Sequence, residues 1–156
     1  MPKEAHMDLY FDDLPRGYKF SVPARTIFDA DIVGFVALSG QTESLFLDTE
    51  YAEKESIFKK RVAPGMLVWQ LSMMGMLRLG ILEKAGLAFL GLDDVNFFKP
   101  VCPGDTIYSE AEIVECRETS KGDRGIIAMR FEVKNQRGEK VMEYTHRELL
   151  RKRPQP

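Results

Sequence analysis

Leu38-Ser39-Gly40-Gln41-Thr42-Glu43-Ser44-Leu45-Phe46-Leu47-Asp48, read together with Arg61-Val62-Ala63-Pro64-Gly65-Met66-Leu67, is the stretch around which this chain is arranged. Gly40 stands where one helix must end, in the position that favours a left-handed residue. Asp48 is placed to cap the next, a short helix over Thr49–Glu55. Pro64 and Gly65 then open the longest apolar run in the protein, a helix over Met66–Glu83. Its apolar residues surround nearly the whole circumference, so other protein must enclose it on most sides. A glycine turn set beside a helix N-terminus makes a pocket floor with backbone N–H groups directed into it.

Upstream, residues 1–17 read as a lead-in with little order of their own. Tyr18 to Ile27 form a strand, and Pro23 within it favours an edge position. Asp29 can cap a helix that runs to Leu38, with Ile32, Val33, Phe35 and Val36 on its apolar side. After Gly86 the pattern changes to period two. Strands are expected over Leu90–Phe98, Thr106–Arg117, Ile126–Asn135 and Lys140–Leu150. Pro103-Gly104-Asp105, Lys121-Gly122-Asp123 and Gln136-Arg137-Gly138 supply short turns, which imply an antiparallel meander. The pieces assemble into an α+β fold, a curved antiparallel sheet wrapped around a long central helix. We expect one domain over residues 1–156, with 151–156 as a tail.

Composition narrows the function. Apolar residues make up 44% of the chain and charged residues 29%, which fits a soluble globular protein. A formal net charge of −2 supplies no overall positive field for nucleic acid. Lys59-Lys60-Arg61 and Arg151-Lys152-Arg153 are then solvated surface or tail. Cys102 and Cys116 belong to no metal-ligand spacing; both read as small buried hydrophobes in a reducing compartment. The run Met66–Leu82 carries Gln70, Ser72, Arg78 and glycines, and is short for a bilayer span. A core helix and a cytoplasmic protein follow.

Three segments resemble one family, the MaoC-like dehydratases of the hot-dog fold, which include the (R)-specific enoyl-CoA hydratases. The family signature, roughly S/T-G-D-x-N-P-L/I-H-x-D, is matched in register by Ser39-Gly40-Gln41-Thr42-Glu43-Ser44-Leu45-Phe46-Leu47-Asp48. Glu50-Tyr51-Ala52 and Arg61 to Leu67 are similar to its lead into the central helix. Phe97-Phe98-Lys99-Pro100-Val101-Cys102-Pro103-Gly104-Asp105-Thr106 is similar to its F-x-x-P-V-x-P-G-D-T segment. The resemblance covers about residues 8 to 150. It implies binding of an acyl-CoA or acyl-carrier thioester, with coenzyme A as part of the ligand and no separate cofactor or metal. It also implies a homodimer, a higher oligomer, or a heteromer with a related subunit.

The signature's aspartate and histidine handle water and proton in the family's reversible hydration of enoyl thioesters. Here those positions are Gln41 and Phe46, neither of which can exchange a proton. Of the two histidines, His6 is near the terminus and His146 reads as a half-exposed strand residue. What the resemblance leaves intact is the backbone N–H of Gly65, at the position that bonds the thioester carbonyl in the family. A helix start that simply requires Pro-Gly geometry accounts for Gly65 equally well. Glu43 is the one carboxylate inside the signature loop: a base if it turns into a dry pocket, a solvated loop residue otherwise. Lys59, Arg61 and Lys99 are candidates for the coenzyme A phosphates, with ordinary surface charge as the competing explanation. Two readings stand: a lyase with a rearranged acid–base set or a Glu43-dependent thioesterase, and a silent acyl-CoA-binding subunit of a heteromeric dehydratase.

Overall fold

The computed structural model describes residues 9–154. Five strands form one antiparallel sheet in the order β1-β3-β4-β5-β2: β1 is Lys19–Thr26, β2 Gly86–Phe97, β3 Thr106–Glu118, β4 Arg124–Asn135 and β5 Lys140–Arg151. Four helices precede β2: α1 (Asp29–Ser39), α2 (Ser44–Leu47), α3 (Thr49–Lys54) and α4 (Gly65–Arg78). The sheet curls around α4, which is the hot-dog arrangement that the resemblance implies. Breaks in register in every strand pair, such as that between Val22 and Arg25 around Pro23, bend the sheet locally. As expected for a proline-bearing strand, β1 lies at an edge.

The period-two pattern explains which face meets α4. Ile127, Met129, Phe131 and Val133 of β4 are buried, while Lys134 turns outward and pairs with Glu110 of β3 at 2.8 Å. Phe131 stacks on its cross-strand partner Tyr144, ring centroids 4.8 Å apart. Against this layer α4 places Leu67, Val68, Leu71 and Met76. Gly75 lets the helix come down onto β1: a Cβ there would stand 2.1 Å from Val22 Cγ1.

Four expectations need correcting. The central helix ends at Arg78 rather than Glu83, because Gly80 turns the chain with φ +73° and donates its N–H to Leu77 O. Met66, Met74 and Leu77 of α4 are exposed, so the helix is not enclosed within one chain. Asp29 is not the cap of α1; Phe28 holds that position, and the Asp31 carboxylate accepts its N–H at 2.8 Å. The lead-in is ordered from Leu9: Phe11 and Leu14 are in the core, and the Phe11 ring packs on Gly125 of β4. Arg153 of the tail pairs with Asp13 at 2.6 Å and covers the Tyr10 ring. Residues 1–8, with His6, and 155–156 lie outside the described residues.

Candidate binding pocket

Gly40 closes α1 with φ +72°, and its N–H donates to Val36 O at 3.0 Å. The chain then reverses into α2 and α3. Asp48 caps α3 as expected, its Oδ1 accepting the Tyr51 N–H at 3.0 Å. This excursion is tied down by Arg61, whose Nε donates to Phe46 O at 2.7 Å and whose guanidinium pairs with Asp29 at the start of α1. Arg61 therefore fixes the backbone of the signature loop.

Between the loop and the end of β2 lies a cavity of about 380 Å³, in the size range of small-molecule sites. Its lining comes from three places: Leu45, Phe46 and Phe58 from α2 and the segment after α3, Ala63, Gly65 and Val68 around the start of α4, and Phe97, Phe98 and Val141 from the end of β2 and the start of β5. Gly65 is the first residue of α4, so the N–H groups of its first turn have no carbonyl acceptor inside the helix. The helix dipole adds partial positive charge at the same place. Such a helix start suits a carbonyl oxygen or a developing oxyanion. Packing also constrains the residue: a Cβ on Gly65 would lie 2.7 Å from Cζ and 2.8 Å from Cε1 of Phe97. The ring rests on the glycine.

The expected site residues separate in space. Gly65 lines the cavity; Glu43 and Gln41 do not. Glu43 is exposed at the start of α2, with no capping bond from its side chain, and Gln41 is half-buried. Among the candidates for phosphate contact, Lys99 lines the cavity and pairs with Glu139 at 2.5 Å. Lys59 is exposed and donates to Lys54 O at 2.7 Å, while Arg61 is spent on Phe46 and Asp29. Among the described residues Lys99 is the one ionisable residue in the lining.

Two features escaped sequence reading. Phe58, in an irregular segment between α3 and Arg61, belongs to the pocket lining. His146 is buried rather than half-exposed, its Nε2 lying 2.8 Å from Oε2 of buried Glu148. The alternation of β5 places both inward, yet their polar character masked the inward face. The Phe89 ring packs on His146, and the His146–Glu148 pair is not in the pocket lining. A larger cleft of about 630 Å³ on the outer sheet face is lined by mixed charges, including Lys19 and Glu112 at 3.3 Å, which neutralise one another. Both cysteines are free thiols. Cys102 is buried as expected, whereas Cys116 is half-buried at the edge of the core; desolvation raises each thiol pKa. Among the described residues no cluster fit for a metal ion occurs, and no helix is long and apolar enough to cross a membrane.

Comparison with known proteins agrees with this fold. The family model described as "MaoC like domain" matches residues 15–135. Protein MaoC of Klebsiella aerogenes is 34% identical over 119 residues, 74% of this chain and 33% of that protein. The chain thus spans about a third of that relative's length. The (R)-specific enoyl-CoA hydratase of Rhodospirillum rubrum is 40% identical over 58 residues, covering 37% of this chain and 39% of the hydratase. Among solved structures, the monoamine oxidase regulatory protein of Archaeoglobus fulgidus superposes with a TM-score of 0.84 at 38% identity, covering 94% of this chain and 96% of the other.

Proposed function

This chain belongs to the MaoC-like domain family, and on that premise we propose that it binds acyl-CoA thioesters at the Gly65 pocket without using the family's aspartate–histidine pair. The observation that carries the proposal is the lining itself. It includes Gly65, where α4 begins and the first N–H groups lack acceptors within the helix, it is otherwise mostly apolar, and among the described residues its single ionisable side chain is Lys99. The thioester carbonyl would accept from the Gly65 N–H, and the acyl group would lie between Phe46 and Phe97. Hydration needs a group that takes a proton from water. Phe46, in register with the signature histidine, has none, and Gln41 does not titrate.

The thioesterase reading draws on Glu43, whose exposed position away from the lining argues against it as a base. The reading as a silent subunit fits better: the chain would hold the thioester, or complete a pocket, while a related subunit supplies the acid–base pair. A second copy is the other partner of choice, since among the described residues no strand pairs with the outer edge of β2. Titration of the purified protein with crotonyl-CoA, alongside a hydration assay, tests the proposal. Saturable binding with turnover at the uncatalysed rate is expected. Hydration that disappears in Glu43→Gln would overturn it, as would a lack of binding.

A further inference from the structure

We propose that Arg61 is a positioning residue of the Gly65 pocket: it holds the loop side of the lining in place through the backbone of Phe46, and it takes no phosphate of the ligand. The inference rests on the acyl-thioester reading and adds to it the residue that shapes the site. Leu45 and Phe46 reach the lining from α2, a helix of four residues that buries none of them. One helical turn does not persist on its own hydrogen bonds. The core grips α2 weakly, since the Phe46 ring is only partly buried against it. Arg61 supplies the missing hold: its Nε donates to Phe46 O at 2.7 Å from fifteen positions along the chain.

The arginine is anchored in turn. Its guanidinium pairs with Asp29, the first residue of α1, and its side chain is only 17% exposed. Two positions on, the Ala63 N–H donates to Val101 O at 2.7 Å. Ala63 and Val101 both line the cavity, so one short segment ties the loop, the start of α4 and the chain after β2 together. A hydrogen bond from a charged donor shifts the population of the segment it orders by about 10- to 100-fold. Without it α2 spends more time away from the lining, and the apparent Kd rises as the binding-competent fraction falls. The rest of the fold keeps its stability, because α2 adds no buried residue to the core.

Crotonyl-CoA and S-crotonylpantetheine separate positioning from phosphate contact, because the second carries the same acyl thioester and no phosphate. Calorimetric titration of Arg61→Ala should show both Kd values raised by one common factor, about tenfold or more, with Tm little changed. Hydrogen exchange should speed up at the Phe46 and Asp48 amides, which bond within the α2 turn. Arg61→Lys should not rescue binding, since a single ammonium cannot serve Phe46 O and Asp29 together. Asp29→Asn, at an exposed position, keeps the Arg61 charge but removes its second hold, and should weaken both probes. A loss confined to crotonyl-CoA in Arg61→Ala overturns the inference, makes Arg61 a phosphate ligand and leaves thioester binding intact. Unchanged Kd values in Arg61→Ala, or tighter crotonyl-CoA binding in Asp29→Asn, overturn it as well. Failure of the wild type to bind crotonyl-CoA overturns the inference together with the reading beneath it.

Discussion

Glu139 receives three donors at once: Asn135 Nδ2 at 2.8 Å, Lys99 Nζ at 2.5 Å and Arg137 Nε at 2.8 Å. The Asn135 amide contributes most, followed by the two cations, and together they hold its carboxyl at about 2, well below an ordinary 4.5. A carboxylate depressed on folding stabilises the native state above its unfolded pKa, and that contribution is lost as the pH falls through the folded value. The window is therefore pH 4.5 down to 2. Thermal unfolding followed across it should show the wild type losing more Tm than Glu139→Gln, with the two curves converging at the acid end. Parallel curves would mean that the exposed cluster is screened to insignificance. The same cluster bears on the pocket, since Lys99 both lines the cavity and pairs with Glu139. Any phosphate that engages Lys99 must share it.

At the scale of elements, α4 meets β1 through Gly75, which leaves no space for a side chain: Val22 Cγ1 would lie 2.1 Å and Pro23 N 3.3 Å from an added Cβ. Those atoms belong to a strand anchored to β3, so the helix itself must move. Gly75→Ala should destabilise by about 1–3 kcal/mol despite the better helix propensity of alanine, measured by urea unfolding. Gly65→Ala meets only the tip of the half-exposed Phe97 ring, which can swing aside, and should cost less. Equal stability of Gly75→Ala and wild type would sink this account of the helix–strand contact. The contrast marks what the sequence could tell. Gly40 and Asp48 were legible because helix termination and capping are local, as were β1, β3, β4 and β5, whose alternation needs no partner; β2, exposed along its first residues without alternation, begins at Gly86 rather than the expected Leu90. Gly75, Phe11 on Gly125, and Phe97 on Gly65 are contacts between distant segments, and the residue type alone does not say what lies opposite. The signature loop was readable by register with the family; the exposure of Glu43 and the structural use of Arg61 depend on where α2 comes to rest.

On the scale of the whole molecule, among the described residues β2 bonds only to β5 and has no partner strand on its other edge. Leu87, Phe89 and Leu90 along it are each more than a third exposed, an arrangement monomeric proteins ordinarily avoid by shortening or charging the edge. The exposed stripe of α4, Met66 with Met74 and Leu77, continues this surface, since Trp69 on the same side of the helix packs against Phe89 at 6.0 Å. A second copy turned about a two-fold axis would pair β2 with β2 and cover both apolar faces at once, the self-complementary geometry of an isologous dimer. Phe97 terminates the same strand, so pairing would also stiffen the pocket wall. Sedimentation equilibrium should therefore give twice the chain mass of 17.8 kDa. Leu87→Lys with Leu90→Lys should return the protein to monomer without unfolding it, because neither side chain belongs to the core. That monomer should bind acyl-CoA more weakly, since an unpaired β2 leaves the Phe97 wall supported from one side alone. A wild type that stays monomeric across micromolar to millimolar concentration would refute the pairing and assign the exposed edge to a different subunit.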